Sequence, residues 1–167
     1  MSQLSDDFRT AFRHHPAGVA LITATVDGLP YGLTISSLAS LSIDPVAVSF
    51  SLAKESGAAG AVLAAPSFII HMLAEEHEEM ANNFARPGAP RFTDDQNFQI
   101  LPTGEPYFAD APIAFRSTIH SSISVGSSRL IAAEVHEILH GAPQQHLVHQ
   151  NRQYVRLSGL LTPTYQD

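Results

Sequence analysis

The sequence has no cysteine and no tryptophan, and Lys54 is its only lysine. Without cysteine there is no disulfide, thiolate zinc site, iron–sulfur cluster or thiol nucleophile. Basic residues are scarce altogether, nine Lys and Arg against sixteen Asp and Glu, for a formal charge of −7. A general nucleic-acid binder needs a basic face to neutralise phosphates, so that class is set aside. No apolar run approaches the roughly 18 residues of a spanning helix, which sets aside a membrane partner. Residues 1–13 are polar, carry charges of both signs and lack the apolar core of a secretory signal. A cytoplasmic protein is expected. Three further signatures are missing: the G-x-S-x-G elbow, the Walker loop and the G-x-G-x-x-G fingerprint.

What is present fits an ordinary globular chain. It has 167 residues, 44% hydrophobic and 15% charged, enough for one domain with a real core. No repeat, low-complexity tract or linker divides it, so a single domain over residues 1–167 is expected. Residues 5–14 read as a short helix capped by Ser5, with Phe8 and Phe12 on one face. Residues 17–26 and 29–36 read as strands around the turn Asp27-Gly28. Residues 37–44 read as a polar connection and 45–52 as a strand. In that strand Val46, Val48, Phe50 and Leu52 alternate with Ala47, Ser49, Ser51 and Ala53. The bulky row suits a core, and the small row lets another group approach the backbone.

Residues 56–65 read as an Ala-rich helix capped by Ser56, 68–73 as a buried strand and 75–85 as an amphipathic helix. Residues 86–112 read as a long irregular stretch with several prolines, a length that usually serves a site or an interface. Residues 113–125 and 129–140 form a strand pair around Gly126, and 147–150 with 153–160 a last hairpin. Short strands dominate, with few helices between them. The fold class expected is mainly β, an antiparallel barrel with short peripheral helices.

Nine histidines raise the question of metal. The run His136-Glu137-Ile138-Leu139-His140 matches H-E-x-x-H. That pattern chelates zinc only on a helix, where residues four apart lie within about 6 Å on one face. On a strand the two histidines stand about 13 Å apart. Gly141 and Pro143 cut the segment short, and no metal site is expected.

Several motifs, in order, resemble the flavin reductase-like family of split-barrel flavoproteins. They are Phe8-Arg9 with Pro16-Ala17-Gly18-Val19; Asp27-Gly28-Leu29-Pro30-Tyr31-Gly32-Leu33-Thr34-Ile35-Ser36-Ser37; Ser40-Leu41-Ser42-Ile43-Asp44-Pro45; Asn83-Phe84-Ala85; and Arg91-Phe92. Each is weak alone, and five in sequence are specific. The resemblance runs from about residue 8 to residue 157, and it implies an antiparallel Greek-key split β-barrel that forms a homodimer with flavin near the interface. It also implies an NAD(P)H-dependent flavin reductase, with FMN or FAD as the flavin and NADH or NADPH as the hydride source. A flavin-dependent monooxygenase is the implied recipient of the reduced flavin.

By that resemblance Thr34, Ile35, Ser36 and Ser37 lie along the flavin, with Ser51, Leu52 and Ala53 as a second wall. Lys54, Ser56 and Arg86 are candidates for its phosphate. Phe84, Ala85 and Tyr154 complete the set, Tyr154 on the nicotinamide side. The serines also fit plain turn and cap roles. The family often carries Gly-Asp-His between its two late strands, where this chain has Gly126-Ser127-Ser128. Ser128 can hydrogen-bond a carboxamide but carries no charge. That substitution opens a second reading, a flavin-binding carrier or sensor of the same fold without turnover.

Overall fold

Residues 2–157 are described by a computed structural model of the chain. In order, its elements are α1 (Gln3–His14), β1 (Ala17–Gly18), β2 (Ala20–Val26), β3 (Leu29–Ile35), β4 (Ala39–Ile43) and β5 (Val46–Leu52). Next come α2 (Ala58–Ala64), β6 (Phe68–Met72), α3 (Glu78–Ala85), β7 (Phe98–Ile100) and β8 (Pro106–Phe108). The chain continues through β9 (Ile113–Val125), β10 (Ser128–His140), β11 (Val148–Gln150) and β12 (Gln153–Val155). The last expected strand, 153–160, ends at Val155, and its final three positions lie outside the described residues.

Seven strands form one antiparallel sheet in the order β3-β2-β6-β9-β10-β5-β4. β3 and β4 stand at opposite edges, yet only residues 36–38 join them. Laid flat, such a sheet spans about 29 Å, whereas so short a link reaches about 14 Å. The sheet therefore curls until its edges meet. Ser37 fastens the seam: its hydroxyl accepts the Ser51 N–H at 3.0 Å and donates to the Ser51 carbonyl at 3.2 Å.

Burial explains the curl. The inward row of β2, Ala20, Ile22 and Ala24, packs with Val48, Phe50, Phe68, Ile70 and Ile131 in the barrel core. The other row of β2 is covered as well. Leu21 joins Leu73, Phe84, Phe108 and Leu147 in a second cluster. Two hydroxyls bind the late irregular segment to that strand: Thr23 donates to the Pro106 carbonyl at 2.5 Å and Thr25 to the Gly104 carbonyl at 2.7 Å.

Four local expectations are corrected. The first helix starts at Gln3, and its cap is Ser2, whose hydroxyl accepts the Ser5 N–H at 3.3 Å. The stretch read as a polar connection is β4, an edge strand with a bulge between Ser40 and Ser42 that breaks its alternation. The cap of α2 is Gly57, at φ +62°. The irregular stretch 86–112 contains the hairpin β7–β8, with Pro106 opening its strand, where no ladder N–H is needed.

Candidate functional site

The seam is also the wall of the main cavity, about 620 Å³ in volume. Leu33, Thr34, Ile35, Ser36 and Ser37 line one side, and Ser51, Leu52, Ala53 and Lys54 line the other. Ser56, Gly57 and the start of α2 close the end, and Phe84, Ala85, Pro87, Arg91 and Ser128 line the remainder. The two runs that the sequence singled out thus meet although separated along the chain. Residue 51 reaches the seam because it lies on the small row of β5, the row turned away from Phe50 and Leu52.

The hydroxyls divide into two groups. Thr34 donates to the Ala81 carbonyl at 2.7 Å and ties β3 to α3. Ser37 is engaged on both sides by the Ser51 backbone. Both are therefore structural clasps. Ser36, Ser51, Ser56 and Ser128 line the same cavity with no side-chain hydrogen bond among the described residues. They remain open to a polar ligand.

Charge at the cavity is positive, against the sign of the whole chain. Lys54 and Arg91 both line it, and neither meets a carboxylate among the described residues. Beside Lys54, Arg129 donates from Nε and Nη2 to Glu55 Oε1, both at 2.8 Å, pinning the loop between β5 and α2 to β10. Arg91 is held by backbone alone. Its Nε reaches the Asn83 carbonyl at 3.2 Å, Nη1 the Gly32 carbonyl at 3.2 Å and Nη2 the Arg86 carbonyl at 2.8 Å. The guanidinium lies 5.7 Å from the centre of the Phe84 ring.

Arg86, expected near a phosphate, is exposed and does not line the cavity. Arg91 stands there instead. The sequence marked it only as half of an Arg-Phe pair. Its place depends on the course of the loop that carries it, which no local pattern encodes.

Gly32 permits the close approach of Phe84. A Cβ there would lie 2.6 Å from Phe84 Cε1 and 3.2 Å from Phe92 Cζ. Tyr154 lines a smaller adjoining cavity of about 160 Å³ with Val19, Thr34, Ile35, Ser36, Ala85 and His149. The His149 and Tyr154 rings meet edge-on at 5.7 Å. Burial, with the nearby Glu78 charge, raises the Tyr154 phenol above its ordinary range despite Arg86. It stays a neutral hydroxyl near pH 7.

His136 and His140 lie in β10, so the helical spacing that the zinc motif requires is not formed. His136 instead pairs with Thr118 at 2.7 Å across the β9–β10 hairpin.

The sequence matches the profile of the flavin reductase like domain over residues 12–158. It is 38% identical over 125 residues, 75% of this chain, to a protein from Rhodococcus qingshengii named NADH:FMN oxidoreductase; the match spans 65% of that relative. It is 34% identical over 131 residues to the reductase component of 4-nitrophenol 4-monooxygenase/4-nitrocatechol 2-monooxygenase from Rhodococcus opacus, covering 78% of this chain and 70% of that one. The crystal structure of a flavin reductase domain protein from Arthrobacter sp. FB24 superposes with a TM-score of 0.85 at 30% identity, over 98% of each chain. The order of the motifs, the closed antiparallel sheet and these likenesses agree, and the chain belongs to the flavin reductase like domain family.

Proposed function

We propose that this protein is an NAD(P)H-dependent flavin reductase acting on FMN or FAD. The observation that carries the reading is the cavity at the barrel seam, where residues 34–37 meet residues 51–54. Its donor set suits a flavin. Leu33, Ala53, Ala85 and Pro87 give apolar surface for a flat ring, and Ser36, Ser51 and Ser56 give small hydroxyls. Lys54 and Arg91 give uncompensated positive charge for a phosphate. The volume falls within the roughly 300–1,000 Å³ of small-molecule sites.

A bound flavin supplies the hydride-accepting ring, so that chemistry belongs to the cofactor. The protein's part is to hold two rings together and keep water out. The apolar side chains above exclude water. Ser128, half-buried at the start of β10, offers a neutral hydrogen bond at the cavity edge. Tyr154 offers a second from the adjoining hollow. No protein acid is required for hydride transfer, so a serine in place of the family's histidine is compatible with turnover.

A homodimer fits the outward face of the sheet. Ile123, Val125 and Leu130 are exposed near the turn of the β9–β10 hairpin. Leu130 is the register partner of both Ile123 and Ser51, so this apolar surface borders the cavity wall. A second copy on that face would enclose the site. The Rhodococcus opacus relative is named as a reductase component, which supports a flavin-dependent monooxygenase as partner. A cytoplasmic location suits an enzyme that draws on nicotinamide cofactors.

The test is spectroscopic. Anaerobic protein is mixed with FMN or FAD, then with NADH or NADPH, and loss of the oxidised flavin absorbance is followed. Bleaching at enzymatic rates is expected. Tight flavin binding without bleaching would favour the carrier or sensor reading, which the Ser127-Ser128 substitution supports.

A further inference from the structure

We infer that the apolar stripe of α1 seats on the β9–β10 flank of a second copy, and that two copies exchange these helices reciprocally. The inference rests on the homodimer proposed above and is independent of flavin turnover.

The stripe has no cover in its own chain. Leu4, Phe8 and Phe12 recur every fourth residue and so share one face of α1. They are 79%, 60% and 61% exposed, and α1 buries no residue of its own. The Phe8 and Phe12 rings lie 4.6 Å apart, and His15 meets Phe12 edge-on at 6.0 Å, so the stripe is continuous. Asp6, Thr10 and Arg13 fall on the opposite, polar face. The helix is tied down at its C-terminal end. There the Arg13 carbonyl accepts the Asn151 N–H at 2.8 Å, and the His14 carbonyl accepts the Gln150 side-chain amide at 2.8 Å. A helix of 12 residues is marginal in water unless an apolar face is packed. Among the described residues nothing packs this one.

A second copy fits both bare surfaces at once. The flank of Ile123, Val125 and Leu130 lies at the same end of the barrel as α1. The chain leaving α1 enters β2 at Ala20, the register partner of Ile35 on one cavity wall. Leu130 is the register partner of Ser51 on the facing wall. An isologous contact that sets each helix on the other copy's flank covers both surfaces twice with one two-fold operation. Pairing helix with helix would leave the flank bare. Area points the same way. A fully covered Phe buries about 150–250 Å², and a stable interface needs about 800 Å² from each partner. Neither the stripe nor the flank reaches that alone; the two together, with their polar rims, are of that order.

The chain has no cysteine, so introduced thiols report contacts without background. Copies carrying Phe8→Cys are co-expressed with copies carrying Leu130→Cys and treated with a short bis-maleimide. A covalent dimer joining the two kinds of copy is expected, and none from either variant by itself. In Phe8→Ser/Phe12→Ser the dimer dissociation constant should rise at least about a hundredfold by light scattering, while near-UV circular dichroism reports an intact barrel core. A monomeric wild-type chain removes the homodimer and this seat together. A wild-type dimer overturns the helix seat alone if that cross-link is missing, if it forms only between two Phe8→Cys copies, or if the double serine variant dimerises normally. None of these readouts uses flavin.

Discussion

At the scale of single residues, the most constrained polar group is His71. It is fully buried on β6, its Nδ1 bonds the Leu21 carbonyl at 3.1 Å, and its Nε2 accepts the Phe108 N–H at 3.1 Å. Only the neutral ring can do both. Burial lowers its pKa from 6.5 to about 4, against the opposing pull of the Leu21 carbonyl and Asp110. The folded protein thus binds fewer protons than the unfolded chain across that window. The contribution is complete above pH 6.5 and lost as pH falls through about 4, about 3 kcal/mol in all. Urea unfolding from pH 7 to pH 4 should show this slope. His71→Leu should be about 2 kcal/mol less stable at pH 7 and show a shallower slope. Gly32 gives a second residue-scale prediction. Gly32→Ala must displace Phe84, whose ring is braced by Phe92 at 5.0 Å and Phe108 at 5.9 Å. A loss of about 1–3 kcal/mol is expected, with weaker flavin binding read by fluorescence quenching.

At the scale of elements, the loop between β5 and α2 is pinned by the Glu55–Arg129 pair. Both side chains are partly exposed, so the pair adds at most about 1 kcal/mol to stability. Its effect belongs to positioning Lys54 and Ser56. Glu55→Gln should leave the melting temperature nearly unchanged yet weaken FMN binding several-fold, as isothermal titration would measure. The elements themselves were legible in the sequence where alternation was long. The β9–β10 hairpin could be read because two 13-residue strands flank Gly126, which has φ +59°. β4 could not, since its bulge and small side chains hide the period-two pattern. β7 and β8 could not either, being three residues each amid prolines. The runs 34–37 and 51–54 could be marked as candidate walls from the motifs that resemble the family, and the small row of β5 could be read from its alternation. That the two runs meet across one cavity depends on the curl of the sheet. Arg91 could not be placed, because carbonyls from Gly32, Asn83 and Arg86 fix its place and only the folded loop brings them together.

At the scale of the molecule, closure of the sheet turns two distant runs into one cavity, and its outward flank is apolar. Leu130→Glu places a charge on that flank beside Ser51. The variant is expected to be monomeric by light scattering and to bind flavin more weakly, whereas a dimer of normal mass would remove the interface. The Ser37 clasp carries a further consequence for dynamics. The Ser51 amide is held at the seam by a side-chain hydroxyl from the cavity wall. Opening the barrel and emptying the site are then parts of one fluctuation. Hydrogen exchange at this amide becomes a reporter of occupancy, slowing as flavin binds and quickening in Ser37→Ala before global stability changes.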